Sequence, residues 1–295
     1  MICPMKPENF KEIVQADNIC FNRGSQGRTL ESLAFLLQNN PTGCFVYKND
    51  RGDVVGYLFT KILGEVGYIG PLGLLPDERG NGWGKQLLAQ GIAHLKNAGC
   101  KTIGLETRPE MVDNIGMYLG MGFHPAPVTL MFSRKSGMAS CSPYKVFDIN
   151  GLPKNELEMF FARLEAASGI DISPDFYLCK EKNTGDFCFV KHNEKPSGFL
   201  AYTPLLHPYV WGGFVKDQNQ DFSSHAFMAL YENLSQKNAG HDLALRVNSR
   251  YTEFYKLLGG HFKVEKCLVR LLLHRHEGVF NEDNAQSVIL RSWIS

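Results

Sequence analysis

Apolar positions near the start of the chain recur every three or four residues. Phe10, Ile13, Val14 and Ile19 do so after Pro7 and Asn9, which suit a helix start, and Leu30, Leu33, Leu36 and Leu37 repeat the spacing after Thr29. Two helices are predicted, the second stopping before Asn39, Asn40 and Pro41. The period then changes. Residues 44–47 and 54–59 are strand-like and flank the turn signal at 49–53, which predicts a β-hairpin. An apolar run at 68–75, broken by Gly70 and Pro71, leads into a glycine-rich turn. Leu87, Leu88, Gly91, Ile92 and Leu95 then place one apolar face along a helix that ends at Gly99. Residues 101–107 resume as strand, and strand, helix and strand in that order favour a partly parallel sheet with the helix across one face.

A short polar stretch at 133–140 follows the strand-like residues 128–132 and divides the chain into domains at 1–138 and 139–295. The second half begins again with a helix over 155–168, in which Leu157, Phe160, Phe161 and Leu164 share a face. A turn is expected at 171–175, strands at 187–191, 198–202 and 243–247, and a helix at 226–238. The less regular segment 202–211 reads either as a packed loop or as a rim between domains. Near their ends the halves echo each other: Tyr118 to Phe123 is matched by Tyr255 to Phe262, with one extra residue in the second copy. This separation suggests a duplication and is far too long for a solenoid repeat. The expected fold class is α+β with α/β layering, as two tandem domains, each a mixed twisted sheet flanked by helices.

Composition agrees with two cores. The chain has 295 residues and is 44% hydrophobic, enough for two domains of about 150 residues each. Thirty-one Lys and Arg against thirty Asp and Glu leave a net charge of +1, so no global field favours nucleic acid or an anionic membrane. Arg246, Arg250, Lys256, Lys263 and Lys266 alternate with Asp242, Glu253 and Glu265 and do not form a strip that tracks a phosphate backbone. No apolar run approaches the length a membrane-spanning helix needs. Eight cysteines without a Cys-x-x-Cys pair, and no leader-like N-terminus, predict a cytoplasmic protein with free thiols. His274 and His276 have no evident third partner, so no metal is expected.

Gly80, Gly82 and Gly84 lie between an apolar strand and an amphipathic helix. Missing side chains there let backbone amides converge on an anion, with the positive helix end and Arg79 in support; the same glycines also suit a tight helix entry. A Walker loop is disfavoured because Lys85 is followed by Gln86. A dinucleotide fingerprint is disfavoured because the third glycine comes too early and several strands precede it.

The run Arg79-Gly80-Asn81-Gly82-Trp83-Gly84, continued by Lys85-Gln86-Leu87-Leu88, resembles the acetyl-CoA loop of the Gcn5-related N-acetyltransferase (GNAT) superfamily. Tyr118 to Phe123 resembles that family's later segment, in which a tyrosine precedes Gly-Phe. The chain as a whole is similar to a tandem subgroup typified by bacterial YitH-like acetyltransferases. The resemblance implies two tandem GNAT-like domains: a catalytic, acetyl-CoA-binding first domain and a divergent second one that shapes the substrate site or serves structure. It implies acetyl-CoA as acyl donor. Residues 211–222 carry no second glycine ladder, so one competent loop is expected.

For the donor, the resemblance assigns Leu72, Leu74 and Leu75 to the pantetheine arm, with the N–H near Leu74 facing the thioester oxygen. Arg79, Gly80, Asn81, Gly82, Trp83, Gly84 and Lys85 would hold the diphosphate. Tyr118 is the candidate general acid, since a neutral phenol can donate to a departing thiolate; packing beside Met117, Met121 and Phe123 is the alternative. Glu106 and Glu65 are candidate bases, Glu106 the better placed, and each also reads as a surface or ion-paired carboxylate. His124, His207, Tyr209 and Trp211 are candidates for the acceptor pocket, with ordinary packing as the other reading. Cys44 and Cys100 have no activating neighbour, which favours direct transfer over an acylated enzyme. The expected acceptor is a small amine or an amino-acid-like molecule. A peptide or protein N-acetyltransferase and a noncatalytic acyl-CoA-binding regulator are the alternatives, and monomer and homodimer remain equally open.

Overall fold

The computed structural model describes residues 1–22, 27–134, 144–205, 207–215, 224–274 and 287–290. In the first half, strand β1 (Ile2–Pro4) precedes helices α1 (Phe10–Phe21) and α2 (Leu30–Asn39). The predicted start of α2 is realised as a capping box: the Ser32 N–H donates to Thr29 Oγ1 and the Thr29 N–H to Ser32 Oγ, each at 3.0 Å. Strands β2 (Cys44–Lys48), β3 (Val54–Leu63) and β4 (Val66–Leu74) form a meander. Helix α3 (Trp83–Asn97), β5 (Thr102–Thr107), α4 (Val112–Leu119) and β6 (His124–Arg134) complete this half.

The second half repeats the series: β7 (Phe147–Asp148), α5 (Lys154–Ser168), α6 (Ser173–Lys182), β8 (Asp186–His192), β9 (Lys195–Thr203), β10 (His207–Val215), α7 (Ser224–Lys237), β11 (Leu245–Asn248), α8 (Thr252–His261) and β12 (Phe262–His274). A final strand, β13 (Ser287–Leu290), follows. The expected turn at 171–175 is instead the entrance to α6. Asp171 accepts from the Ser173 N–H at 2.9 Å, and Pro174 sits in the first helical turn, where a missing N–H leaves no bond unmade. Most of the irregular stretch 202–211 belongs to strands β9 and β10. The expected domain joint falls outside the described residues.

Both halves build one continuous sheet in the order β1-β2-β3-β4-β5-β12-β6-β11-β10-β9-β8-β7, with β13 paired to β10. The order is palindromic. Each strand of the first half has its counterpart six numbers later, read from the opposite edge, and β6 and β12 have changed places at the centre. Strand β12 lies antiparallel between β5 and β6, with Leu271 opposite Leu105, while β6 reaches across to pair with β11, Leu130 opposite Val247. This is the exchange of one strand between two copies of a domain, here within a single chain.

Helices cover both faces, as a sheet with two apolar faces requires. In the first half α1 and α2 bury Phe10, Ile13, Leu33 and Leu36 against Cys44, Val46, Tyr57 and Phe59. On the other face, α3 and α4 bury Leu87, Leu88, Leu95 and Tyr118 against Leu58, Ile69, Ile103, Leu105 and the exchanged Leu271. The second half places α5 and α6 on one face, around Phe160, Phe176 and Phe199, and α7 and α8 on the other. Its first cluster also takes in Phe35, Leu63, Val66 and Tyr68, so the cores of the two halves merge on that face.

Because the exchanged strands carry the core of each half into the other, the halves are expected to unfold together. Leu271→Ala removes a fully buried side chain from β12 and should cost about 2–5 kcal/mol. Urea unfolding followed by far-UV circular dichroism and by tryptophan emission should shift as one transition; two separated transitions would contradict the shared sheet.

Candidate active site

Strands β4 and β5 run parallel and stay paired only over Val66–Thr102, Gly67–Ile103 and Tyr68–Gly104. Beyond Tyr68 they diverge, and β4 keeps a partner on its β3 edge alone. Backbone groups alternate between the two edges of a strand. The Leu75 N–H donates to Val55 O of β3 at 2.9 Å, so the backbone groups of Leu74 and Leu72 are turned to the open edge. In agreement, the Leu74 carbonyl accepts not from β3 but from Arg79 Nε, at 3.1 Å. The side chains of Leu72, Leu74 and Leu75 are half-buried; Leu72 and Leu74 pack on the α3 side of the sheet, and Leu75 touches the cores on both faces.

The open edge runs directly into the glycine loop. Gly80 and Gly82 have φ of +82° and +81°, a left-handed backbone that glycine adopts without strain. A Cβ added at Gly80, Gly82 or Gly84 would meet nothing within 4 Å, so the surface beside each is open. Gly82 caps α3, whose first intrahelical bond runs from the Gln86 N–H to Gly82 O at 3.1 Å. The N–H groups of Trp83, Gly84 and Lys85 therefore have no acceptor within the helix. Trp83 itself stacks on Tyr47 with ring centroids 4.7 Å apart and anchors the helix end to β2. Asn81 and Lys85 are exposed at the loop surface. Arg79 also borders the half-exposed Cys20 at the end of α1, whose thiol burial pushes up despite that neighbour. An unpaired strand edge of amide groups leading to a cationic helix start fits an acyl-pantetheine arm ending in a diphosphate.

Tyr118 sits at the last turn of α4 and is 8% exposed, packed edge-on to Phe123 at 6.1 Å. Burial pushes its phenol up to about 12, which keeps it protonated throughout the neutral range. Glu106 lies on β5 past the point of divergence and is 9% exposed. Thr129 Oγ1 of β6 donates to Glu106 Oε1, and the register sets Arg270 of the exchanged β12 directly opposite Glu106. Glu65 is corrected by the fold. It occupies the β3–β4 turn at the far end of β4 from the glycine loop, exposed and ion-paired with Lys101, and the structure does not bring it together with Tyr118 or Glu106.

Residues 10–123 match the acetyltransferase (GNAT) family. Part of the chain is 32% identical over 99 residues to the mycothiol acetyltransferase of Streptomyces griseus, covering 33% of this chain and 32% of the relative. A stretch of the chain is 30% identical over 116 residues to that of Thermobispora bispora, covering 36% of this chain and 39% of the relative. The chain thus spans about a third of the length of the curated relatives it matches. Residues 10–123 are thus similar to a GNAT-superfamily acetyltransferase domain. Among solved structures, one from Pyrococcus horikoshii assigned as an acetyltransferase superposes with a TM-score of 0.75 at 14% identity, covering 99% of this chain and 94% of that one. A tandem GNAT protein from the clavulanic acid biosynthesis pathway gives 0.62 at 12% identity, covering 94% and 99%. These likenesses establish the fold, two tandem GNAT-like domains, over the whole length.

Against the GNAT domain, the expected acceptor residues divide. His124 is exposed at the start of β6. The side chain of His207 lies outside the described residues, as does His276. Tyr209 is half-buried, with the Arg246 guanidinium 3.8 Å from its ring centroid. Trp211 is corrected: it is 1% exposed, packed against Phe187 and Phe199, and its Nε1 donates to Thr203 Oγ1 at 2.9 Å. It belongs to the second core and not to a rim. Sequence reading missed Thr129, which donates to Glu106, and Arg270, which the exchanged β12 sets opposite it in the ladder. Among the described residues no cluster of three His, Cys, Asp or Glu is placed to hold a metal ion, and no helix is long and apolar enough to cross a membrane.

Gly82→Val should test the loop. The added side chain has room, but the left-handed backbone is lost at a cost of about 1–2 kcal/mol. Acetyl-CoA affinity measured by calorimetry is expected to fall at least tenfold while the melting temperature moves by only a few degrees. Unchanged affinity would remove the loop from the donor site.

Proposed function

We propose that the chain is an acetyl-CoA-dependent N-acetyltransferase that passes acetyl directly to the amine of a small or amino-acid-like acceptor. The observation that carries this reading is the open β4 edge ending at the glycine loop. There, the amides from Gly80 to Gly84 and Arg79 hold the donor's diphosphate, and the Leu74 N–H donates to the thioester oxygen as charge develops on it. The donor thereby lies along the divergence of β4 and β5, with its acyl end toward Glu106.

Transfer needs a neutral amine and a partner for the departing thiolate. Glu106, directly or through water, takes the amine proton. Tyr118, kept neutral by burial, donates a hydrogen bond to the leaving sulfur. Burial pushes the Cys44 thiol up to about 12 and that of Cys100 to about 11, and thiols held protonated are poor nucleophiles, which supports direct transfer. The second half walls the acceptor side through the exchanged β12, which lies between β5 and β6 of the first half. A cleft narrowed in this way suits a small acceptor better than a protein surface. The curated relatives that part of the chain matches, named for mycothiol and not for a protein substrate, favour the same choice. Two GNAT-like units in one chain support grouping it with the YitH-like tandem enzymes.

The decisive measurement is amine-dependent release of CoA with recovery of the acetylated amine. Tight acetyl-CoA binding without transfer across a broad amine and peptide panel would make the protein a regulator instead. Tyr118→Phe is expected to lower kcat by about 10²-fold with folding intact. Since the phenol ionises only near pH 12, the wild-type rate should show no tyrosine-linked alkaline fall before that region. Glu106→Gln should lower kcat at neutral pH and remove the acid limb of the pH–rate profile; a profile matching wild type would exclude Glu106 as the base.

A further inference from the structure

In the palindromic sheet every strand from β1 to β12 has a counterpart, and among the described residues β13 has none. Its position is informative. Strand β10 is the counterpart of β4, and β11 that of β5. Like β4 and β5, β10 and β11 are parallel and pair only briefly, at Val210–Leu245. The slot that opens beyond that pair corresponds to the donor slot of the first half, and β13 lies in it. Leu290, Ile289, Val288 and Ser287 pair antiparallel with Gly212, Gly213, Phe214 and Val215, whose other edge is held by β9 through Phe214.

The fit of β13 is that of a ligand in a built site. All four residues are buried, Leu290 completely. Val288 and Leu290 enter the core beneath α7, and Ile289 enters the core beneath α5. Gly213 leaves room for this: a Cβ there would lie 3.3 Å from Ile289 Cδ1 and 2.6 Å from Leu164. The Ile289 N–H faces away from β10 and donates to Tyr251 Oη at 3.1 Å. Ser287 Oγ donates to Ala167 O at 3.3 Å. By alternation, the backbone groups of Val288 and Leu290 are those turned to β10.

We propose that the slot between β10 and β11 is a peptide-binding site whose resident ligand is the chain's own segment Ser287–Leu290, in the place that an acyl-pantetheine arm takes in the first half. The equation of the two slots rests on the donor reading given above. The physical reason is the same on both sides of the molecule: a strand edge facing a sheltered slot requires hydrogen-bond partners. In the first half a substrate supplies them, and in the second half the polypeptide does so by strand addition. The second half consequently takes no acyl-CoA and keeps a complete sheet whether or not donor is bound.

The test uses the full-length protein. Ser287 and Val215 face each other as a pair whose N–H groups are not exchanged, the antiparallel geometry in which Cα atoms lie about 4.5 Å apart, within the span of a disulfide. Ser287→Cys combined with Val215→Cys should cross-link on oxidation, as verified by peptide mapping. The locked protein should bind one equivalent of acetyl-CoA, as wild type does, with turnover within about twofold. In wild type, amides of 287–290 should exchange slowly with deuterium and stay protected at saturating acetyl-CoA, while protection increases at 79–86. A second equivalent bound by wild type and lost on locking, or deprotection of 287–290 by donor, would overturn the proposal. Protected 287–290 amides with no donor bound anywhere would uphold β13 as the occupant of its slot and sink the donor reading of the first half.

Discussion

From Ile69 onward β4 has a neighbour on one side only, and much of the first half is arranged around that unpaired edge. An amide edge sheltered from bulk water is costly unless something bonds to it. The divergence of β4 from β5 creates the edge, and the Leu75–Val55 bond decides which groups face it. The edge then delivers whatever lies along it to a helix start at which Gly80 and Gly82 expose backbone N–H groups. Stacking of Trp83 on Tyr47 holds that start against β2, so the helix entrance and the strand edge form one continuous surface.

The exchange of β6 and β12 is the second organising feature. It places a strand of the second half immediately beside β5, so the floor beyond the divergence belongs to both halves. Glu106 is bonded by Thr129 from β6 and faces Arg270 from β12 across the ladder. A carboxylate and a guanidinium in register on adjacent buried strands favour one alignment of the exchanged strand over its slips, since a one-residue shift would put the two on opposite faces. Register and chemistry are thus coupled: the residue proposed to take the amine proton is positioned by strands that also join the halves.

The two halves have kept the same architecture and parted in their sites. Tyr118 and Tyr255 sit on counterpart helices, but Tyr255 donates through its hydroxyl to Val247 O at 3.2 Å, committed to the neighbouring strand. Trp211 on β10 fills the same core cluster that the buried Tyr68 of β4 enters. With β13 in the slot, the second half has become a wall and a source of strands. It meets the strand that carries Glu106 through β12.

The glycine loop and the helix after it were legible in the sequence, as were α1, α2, the first hairpin and α5, because their apolar spacing and caps are local. The echo between Tyr118 and Tyr255 likewise announced two related halves. The exchange of strands left no local mark, since β6 and β12 are apolar in alternation whichever strand lies beside them. For that reason Thr129 and Arg270 went unnoticed, Trp211 was weighed for a rim as well as for packing when it lies in a core, and Glu65 was weighed with Glu106 although it sits in the β3–β4 turn, before the paired stretch of β4 and β5 that Glu106 follows. Residue order determined which elements form and where an anion can be held. Which strand edges stay open, and which side chains meet across them, was decided only when two sheets joined, because backbone pairing is settled by the neighbours a strand acquires in space.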